Sequence, residues 1–221
     1  MMMRNDLDLT LYLIRHGQTQ RNVESDIIGQ DPSEPLNETG QQQAQKLAAR
    51  FKKENTNFDY IYTSPYKRTV ETTEIVFADQ IGLGQQYTTV PALREIYQGD
   101  GRGKSRKALY SDKEFVDYCS YVGMSFRFDG KGESLMDVEY RVKKWLEDSI
   151  LNNAELPANK PLNMAMIGHA MNHKTALHYV MNFDHKICWR IACDNSSITK
   201  LRVKDGEWFI LGVNDTSHLR D

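Results

Sequence analysis

Cysteine is scarce in this 221-residue chain, which has three: Cys119, Cys188 and Cys193. The number is odd and no two form a CxxC pair, so neither a disulfide scaffold nor a cysteine-based zinc motif is expected. Nothing in the sequence supports a Cys188–Cys193 bridge, and all three are read as reduced thiols. The chain has no uninterrupted apolar run long enough to span a membrane. Met1 to Thr10 carries Arg4, Asp6 and Asp8 and has no apolar signal core, which points to a cytoplasmic chain. Neither sign of charge is in excess, the net charge being −2. That balance gives no general attraction for nucleic acid or an anionic membrane, so neither is expected as a partner. Any recognition of phosphate must be local. Repeats and low-complexity tracts are also missing.

What is present suits a globular enzyme. Hydrophobic residues make up 40% and charged residues 26%, enough for a sizeable core and against disorder. The length fits a single domain over residues 1–221 with a cap or lid at about 96–132.

Leu9 to Ile14 is an apolar run broken only by Thr10, and Asp8 to Ile14 reads as a buried strand. Further strands are expected at Phe58–Thr63, Tyr87–Val90 and Leu162–Ile167. Ser197–Val203 and Glu207–Val213 form a hairpin around Asp205-Gly206. Helices are expected from about Glu38 to Lys53, capped by Asn37, and from Ser64-Pro65 to near Gly82. Shorter ones follow at Tyr110–Tyr121, after the Ser134/Asp137 capping box, and after His169. The stretch to Leu36 and residues 91–109 read as loops.

Functional groups follow the strands. Arg15-His16-Gly17 comes after the first, Arg68 after the second, Glu95 after the third and His169 after the fourth. The carboxyl ends of parallel strands converge on one edge of a sheet, so these residues can share one pocket. Arginine supplies a planar fork of donors for phosphate oxygens. A neutral histidine can attack phosphorus, and a carboxyl group can protonate the departing oxygen. Individually each has a plainer reading: a hydrogen-bonded turn histidine, a solvated surface arginine, a solvated loop glutamate.

Taken together the motifs resemble the histidine phosphatase superfamily, in its phosphoglycerate-mutase-like branch. The matching pieces are Leu13-Ile14-Arg15-His16-Gly17-Gln18-Thr19, Asn22, Pro35-Leu36-Asn37-Glu38-Thr39-Gly40, Ser64-Pro65-Tyr66-Lys67-Arg68-Thr69, Leu93-Arg94-Glu95 and Ile167-Gly168-His169. They occur in the family's order from about Leu11 to about Leu219. The resemblance implies a three-layer α/β/α sandwich with a mostly parallel central sheet. It implies His16 as a nucleophile forming a phosphohistidine, Glu95 as acid and then base, and a phosphate pocket of Arg15, Asn22, Arg68 and His169. It implies no cofactor and no metal, a small phosphorylated substrate, and a monomer or homodimer. The segment between Glu95 and His169 is shorter than in the family's mutases, which favours a phosphatase. A phosphoglycerate mutase, a fructose-2,6-bisphosphatase-like sugar phosphatase or an inactive binding module on this fold are the alternatives. All five catalytic candidates together argue against the last.

Other features point to competing chemistry. His169 and His173 stand one helical turn apart, as zinc ligands can, but Ala170 replaces the glutamate of the metalloprotease motif and no third ligand is evident. Gln98 to Ser105 nearly spells a P-loop but misses its spacing. Arg102, Lys104, Arg106 and Lys107 read either as a solvated loop or as anchors for an anionic substrate. Met171, beside the second histidine, is bulky enough to narrow the pocket. His178, His185 and His218 read as structural or surface residues.

Overall fold

The computed structural model describes residues 4–24, 26, 28–29, 31–128 and 130–220. Its centre is a six-stranded sheet. In chain order the strands are β1 Asp8–Arg15, β2 Tyr60–Thr63, β3 Tyr87–Thr89, β4 Pro161–Gly168, β5 Ile198–Lys204 and β6 Glu207–Asp215. In space they run β3-β2-β4-β1-β5-β6. The four strands β3, β2, β4 and β1 are parallel, while β5 and β6 are antiparallel additions at one edge. The sheet is therefore mixed and mostly parallel, the expected fold class.

Period-two alternation on β1 decides how the layers form. Leu9, Leu11 and Leu13 enter one apolar cluster and Tyr12 and Ile14 another, on the opposite face. The helices, in chain order, are α1 Gln20–Val23, α2 Glu38–Lys53, α3 Lys67–Val76, α4 Ala78–Gly82, α5 Arg106–Ser111, α6 Lys113–Val122, α7 Leu135–Leu146 and α8 Ala170–Met181. Helix α2 buries Ala44, Leu47 and Phe51 on the Tyr12 side, where α3 adds Val76. Helix α7 buries Val138, Val142 and Leu146 on the Leu11 side, where α8 adds Ala176 and Leu177. The outcome is helix, sheet, helix in three layers.

Local chemistry explains most of the boundaries. Asn37 accepts from the Gly40 amide and starts α2. The Ser134/Asp137 capping box starts α7. Asp205 and Gly206 both have positive φ, 53° and 76°, the twisted turn that suits a two-residue hairpin.

Several expectations need correction. Ser64 does not cap a helix: α3 begins at Lys67 after Tyr66, and the Ser64 hydroxyl turns inward instead. The helix expected to run to Gly82 breaks at Phe77 into α3 and α4. The stretch before Leu36 contains the short helix α1. The helix expected at Tyr110–Tyr121 is two, α5 and α6, because the Asp112 side chain accepts from the Glu114 and Phe115 amides and starts a new one.

Candidate active site

His16 leaves the end of β1 and is 3% exposed. Its Nδ1 lies 2.6 Å from its neighbour's carbonyl, Gly17 O, which assigns the ring proton to Nδ1. Nε2 then carries the lone pair and accepts from Arg68 Nε at 3.2 Å. Burial, and after it the charges of Arg68 and Arg15, hold the imidazolium form of His16 well below histidine's ordinary range. His16 is a neutral imidazole with its lone pair turned toward an arginine.

Gly17 has to be a glycine. A Cβ there would lie 2.5 Å from the Gly40 carbonyl oxygen, in the first turn of α2. The chain leaving β1 thus packs backbone to backbone on α2, and the Gly17 amide donates to Thr72 Oγ1 at 3.1 Å.

His169 follows β4 and is fully buried. Its Nδ1 lies 3.2 Å from Arg68 Nη2 and must accept, since arginine only donates. Its Nε2–H is left to donate to Ser64 Oγ at 2.9 Å. Burial and the Arg68 charge push its pKa down as well. The two rings lie edge to face with centroids 5.2 Å apart. Arg68, 2% exposed in the first turn of α3, therefore bonds both histidines at once, and its Nη1 donates to Asp31 O at 3.0 Å. Tyr66 lies under its guanidinium at 5.0 Å.

The Arg15 side chain donates from Nη1 to Cys193 O at 2.5 Å. Its Nε is buried and makes no hydrogen bond in the described structure. Such an orphan donor beside two neutral histidines fits an anion that the pocket receives. Glu95 is 4% exposed beyond β3. Its Oε1 accepts from the Ile96 amide at 2.9 Å, and its charge is the foremost support for the buried Arg68 cation. The loop bearing Glu95 is fixed from across the site by Asn172, fully buried in α8. Asn172 Nδ2 donates to Leu93 O at 2.6 Å and Arg94 O at 2.9 Å, while its Oδ1 accepts from the His169 amide.

The structure places Arg15, His16, Arg68 and His169 close together and buries Glu95. Asn22 is more committed than expected. Its Oδ1 accepts from the Thr19 amide in the box that starts α1, and from Asn195 Nδ2 at 3.1 Å. Only its Nδ2 is left to face a ligand. Sequence reasoning missed Ser64 as a partner of His169, Asn172 as the clamp on the acid loop, and Asn195, which donates to His16 O and Gly17 O. Ser64 sits inside a recognised motif and could have been found; Asn195 had no local signal.

The other candidates are placed as well. His173 Nδ1 lies 3.8 Å from Cys193 Sγ, and burial lowers its pKa to about 3. No three of the described His, Cys, Asp or Glu residues are grouped to hold a metal ion. All three cysteines are free. His178 pairs with Glu139 at 2.6 Å. Gly99 to Gly101 of the near P-loop is a tight turn packed against Gly132. None of the helices, in the described residues, is long and apolar enough to cross a membrane.

Fold and site together define an α/β phosphoryl-transfer class in which paired buried histidines and arginines meet at the ends of parallel strands. Comparison with known proteins agrees. The model of the histidine phosphatase superfamily (branch 1) matches residues 11–216, and the chain belongs to that family and is an enzyme of it. It is 30% identical over 219 residues to a broad-specificity phosphatase of Saccharomyces cerevisiae, covering 96% of this chain and 88% of that one. It is 29% identical over 217 residues to a Yersinia enterocolitica protein named "Probable phosphoglycerate mutase GpmB", covering 96% and 95%. Among solved structures it superposes on Bacillus stearothermophilus YhfR with a TM-score of 0.79 and 27% identity, covering 96% of this chain and 100% of that one.

Proposed function

We propose that the protein is a phosphomonoester hydrolase that works without metal, through a phosphohistidine on His16, on small phosphorylated metabolites. One arrangement carries the reading. Arg68 bonds both buried histidines, while Arg15, whose charge acts on both, keeps a buried Nε without a partner among the described residues. An incoming phosphate can take the donors of both arginines, whose charges offset the charge that develops in transfer, while His169 holds Arg68 in place from Nδ1. His16 Nε2 attacks phosphorus, and the bond to the ester oxygen breaks. Glu95, protonated, gives its proton to that oxygen. As carboxylate it then takes a proton from water, which attacks the phosphohistidine and returns His16 to its neutral state. The short segment between Glu95 and His169 favours water over a second bound acceptor, hence hydrolysis over mutase chemistry.

The test is rapid-quench labelling with a ³²P-phosphomonoester in excess chelator. The expected result is an acid-labile phosphoryl group on His16, release of inorganic phosphate, and loss of both in His16→Ala. Substantial turnover by His16→Ala would overturn the nucleophile. A chelator-sensitive rate restored by a divalent ion would overturn the metal-free step. Efficient interconversion of 3- and 2-phosphoglycerate with negligible phosphate release would make the protein a mutase.

A further inference from the structure

The five catalytic candidates leave a large space beside them unexplained. A cavity of about 670 Å³ lies between the segment that follows Glu95 and the start of α8 with the turn His185–Trp189. None of the five lines it, but their neighbours do: Ile96 follows Glu95, and Met171 and Lys174 stand in the first turns of the helix that His169 opens. The cavity is of the size that takes a drug-sized organic ligand. A three-carbon phospho-acid would leave most of it to water.

Its lining has two characters. One part is apolar and aromatic, with Ile96, Tyr110, Phe126, Phe128, Leu135 and Trp189. Phe126 and Phe128 pack edge to face at 4.9 Å, so this wall is built rather than incidental. The other part is cationic, with Lys174 inside and Arg106, Lys186 and Arg190 exposed at the rim. The side chains of these four make no hydrogen bond or ion pair among the described residues. The acids nearby have other partners, although the Lys186 and Arg190 charges also act on Asp184. Glu133 binds Arg94 at 3.0 Å, Arg141 at 2.9 Å and the Tyr97 amide at 2.9 Å, and Asp184 lies 3.7 Å from His185.

Lys174 is the informative member. It is half-buried, and burial is the foremost cause lowering its pKa, with the Glu95 charge acting on it in the opposite sense. An ammonium group that has given up part of its hydration and gained no carboxylate partner among the described residues is poised for an anion from outside. One half-buried ammonium matches one negative charge, as a carboxylate provides.

We infer that this cavity holds the leaving-group part of the substrate, and that Lys174 pairs with a carboxylate on it. The preferred substrates are elongated phosphomonoesters with an aromatic or branched apolar body and a carboxylate remote from the phosphate. The inference rests on the phosphatase reading, but its site can be tested separately.

The probes are 3-(4-phosphonooxyphenyl)propanoate and its neutral methyl amide, with the full chain. Wild-type protein is expected to favour the carboxylate about tenfold in kcat/KM, the worth of one charged hydrogen bond. In Lys174→Met the ratio should fall below about twofold, and Lys174→Arg should retain most of it. Lys160→Met, which removes a distant cation near Asp59, should leave the ratio as it was. A wild-type ratio near one, or a ratio that survives Lys174→Met, would overturn the assignment. Binding of the non-hydrolysable phosphonates of both probes, by calorimetry, must show the same dependence on Lys174. If neither ester nor 4-nitrophenyl phosphate releases phosphate, the phosphatase reading fails, and the calorimetric ratio still decides on Lys174.

Discussion

Asn172 donates from Nδ2 to the carbonyl of Leu93 at 2.6 Å, joining α8 to the loop that carries Glu95. The same side chain accepts from the His169 amide. One buried carboxamide thus sets the second histidine and the acid relative to each other. Asn172→Leu keeps the volume and removes all three bonds. It leaves the Leu93 and Arg94 carbonyls without that donor, at about 1–3 kcal/mol for each buried group left unsatisfied. The expected outcome is a lower midpoint of thermal unfolding together with a fall in kcat for phosphomonoesters. Unchanged kcat in a destabilised variant would limit Asn172 to the fold.

Arg68 bonds two rings from one guanidinium, and in the proposed reaction it also binds the phosphate. Lysine keeps the charge but is a point donor without the planar fork. Arg68→Lys is expected to lower kcat by about 10²–10³, the range seen when one donor to a developing charge is lost. Single-turnover phosphorylation of His16 should slow by a similar factor. A rate within about threefold of wild type would mean that Arg15 and His169 suffice.

Glu95→Gln retains an oxygen to accept from the Ile96 amide but has no proton to give as an acid. Alkyl phosphates, whose oxygen leaves poorly, should lose about 10²–10⁴ in turnover. Phosphorylation by an activated aryl phosphate should fall much less, leaving dephosphorylation to limit its turnover. Equal rates of alkyl phosphate hydrolysis in both proteins would point to another acid in the loop, such as Asp100.

His16, His169 and His173 are buried with lowered pKa values, His173 at about 3. In the unfolded chain they titrate near 6.5. Below that pH the unfolded state binds protons that the folded state refuses, so folding stability is full above about pH 6.5 and falls as the pH drops toward 3. Each histidine contributes a slope of up to about 1.4 kcal/mol per pH unit. Urea unfolding should therefore show a midpoint that declines between pH 7 and pH 5, above the carboxylate range. A constant midpoint over that interval would mean that the three rings are protonated in the folded protein.

Much was legible in the sequence because it was written in local patterns. The apolar runs at β1 and β4, the Asn37 and Ser134 caps and the Asp205-Gly206 turn each depend on residues a few positions apart. Where two local signals compete, a contact distant in sequence can decide between them. Ser64-Pro65 looked like a helix start, yet the hydroxyl bonds His169 from 105 residues away in the chain. Asp112 ended one helix by offering its carboxylate to the next.

By itself the sequence determined the family, the order of strands and helices, and the placing of Arg15, His16, Arg68, Glu95 and His169 just beyond strand ends. Strand periodicity and motif spacing are properties of neighbours, so no folding is needed to read them. Only the tertiary structure decided which nitrogen of each histidine carries the proton, because Gly17 O fixes it for His16 and Arg68 for His169. Only it showed Asn172 and Asn195 holding the site, and Lys174 beside an aromatic cavity without a carboxylate partner among the described residues. The bonds from Asn172 to the Glu95 loop and from Asn195 to the His16 turn join residues 78 to 179 positions apart. What brings them together is the parallel sheet, whose strand ends all open on one edge.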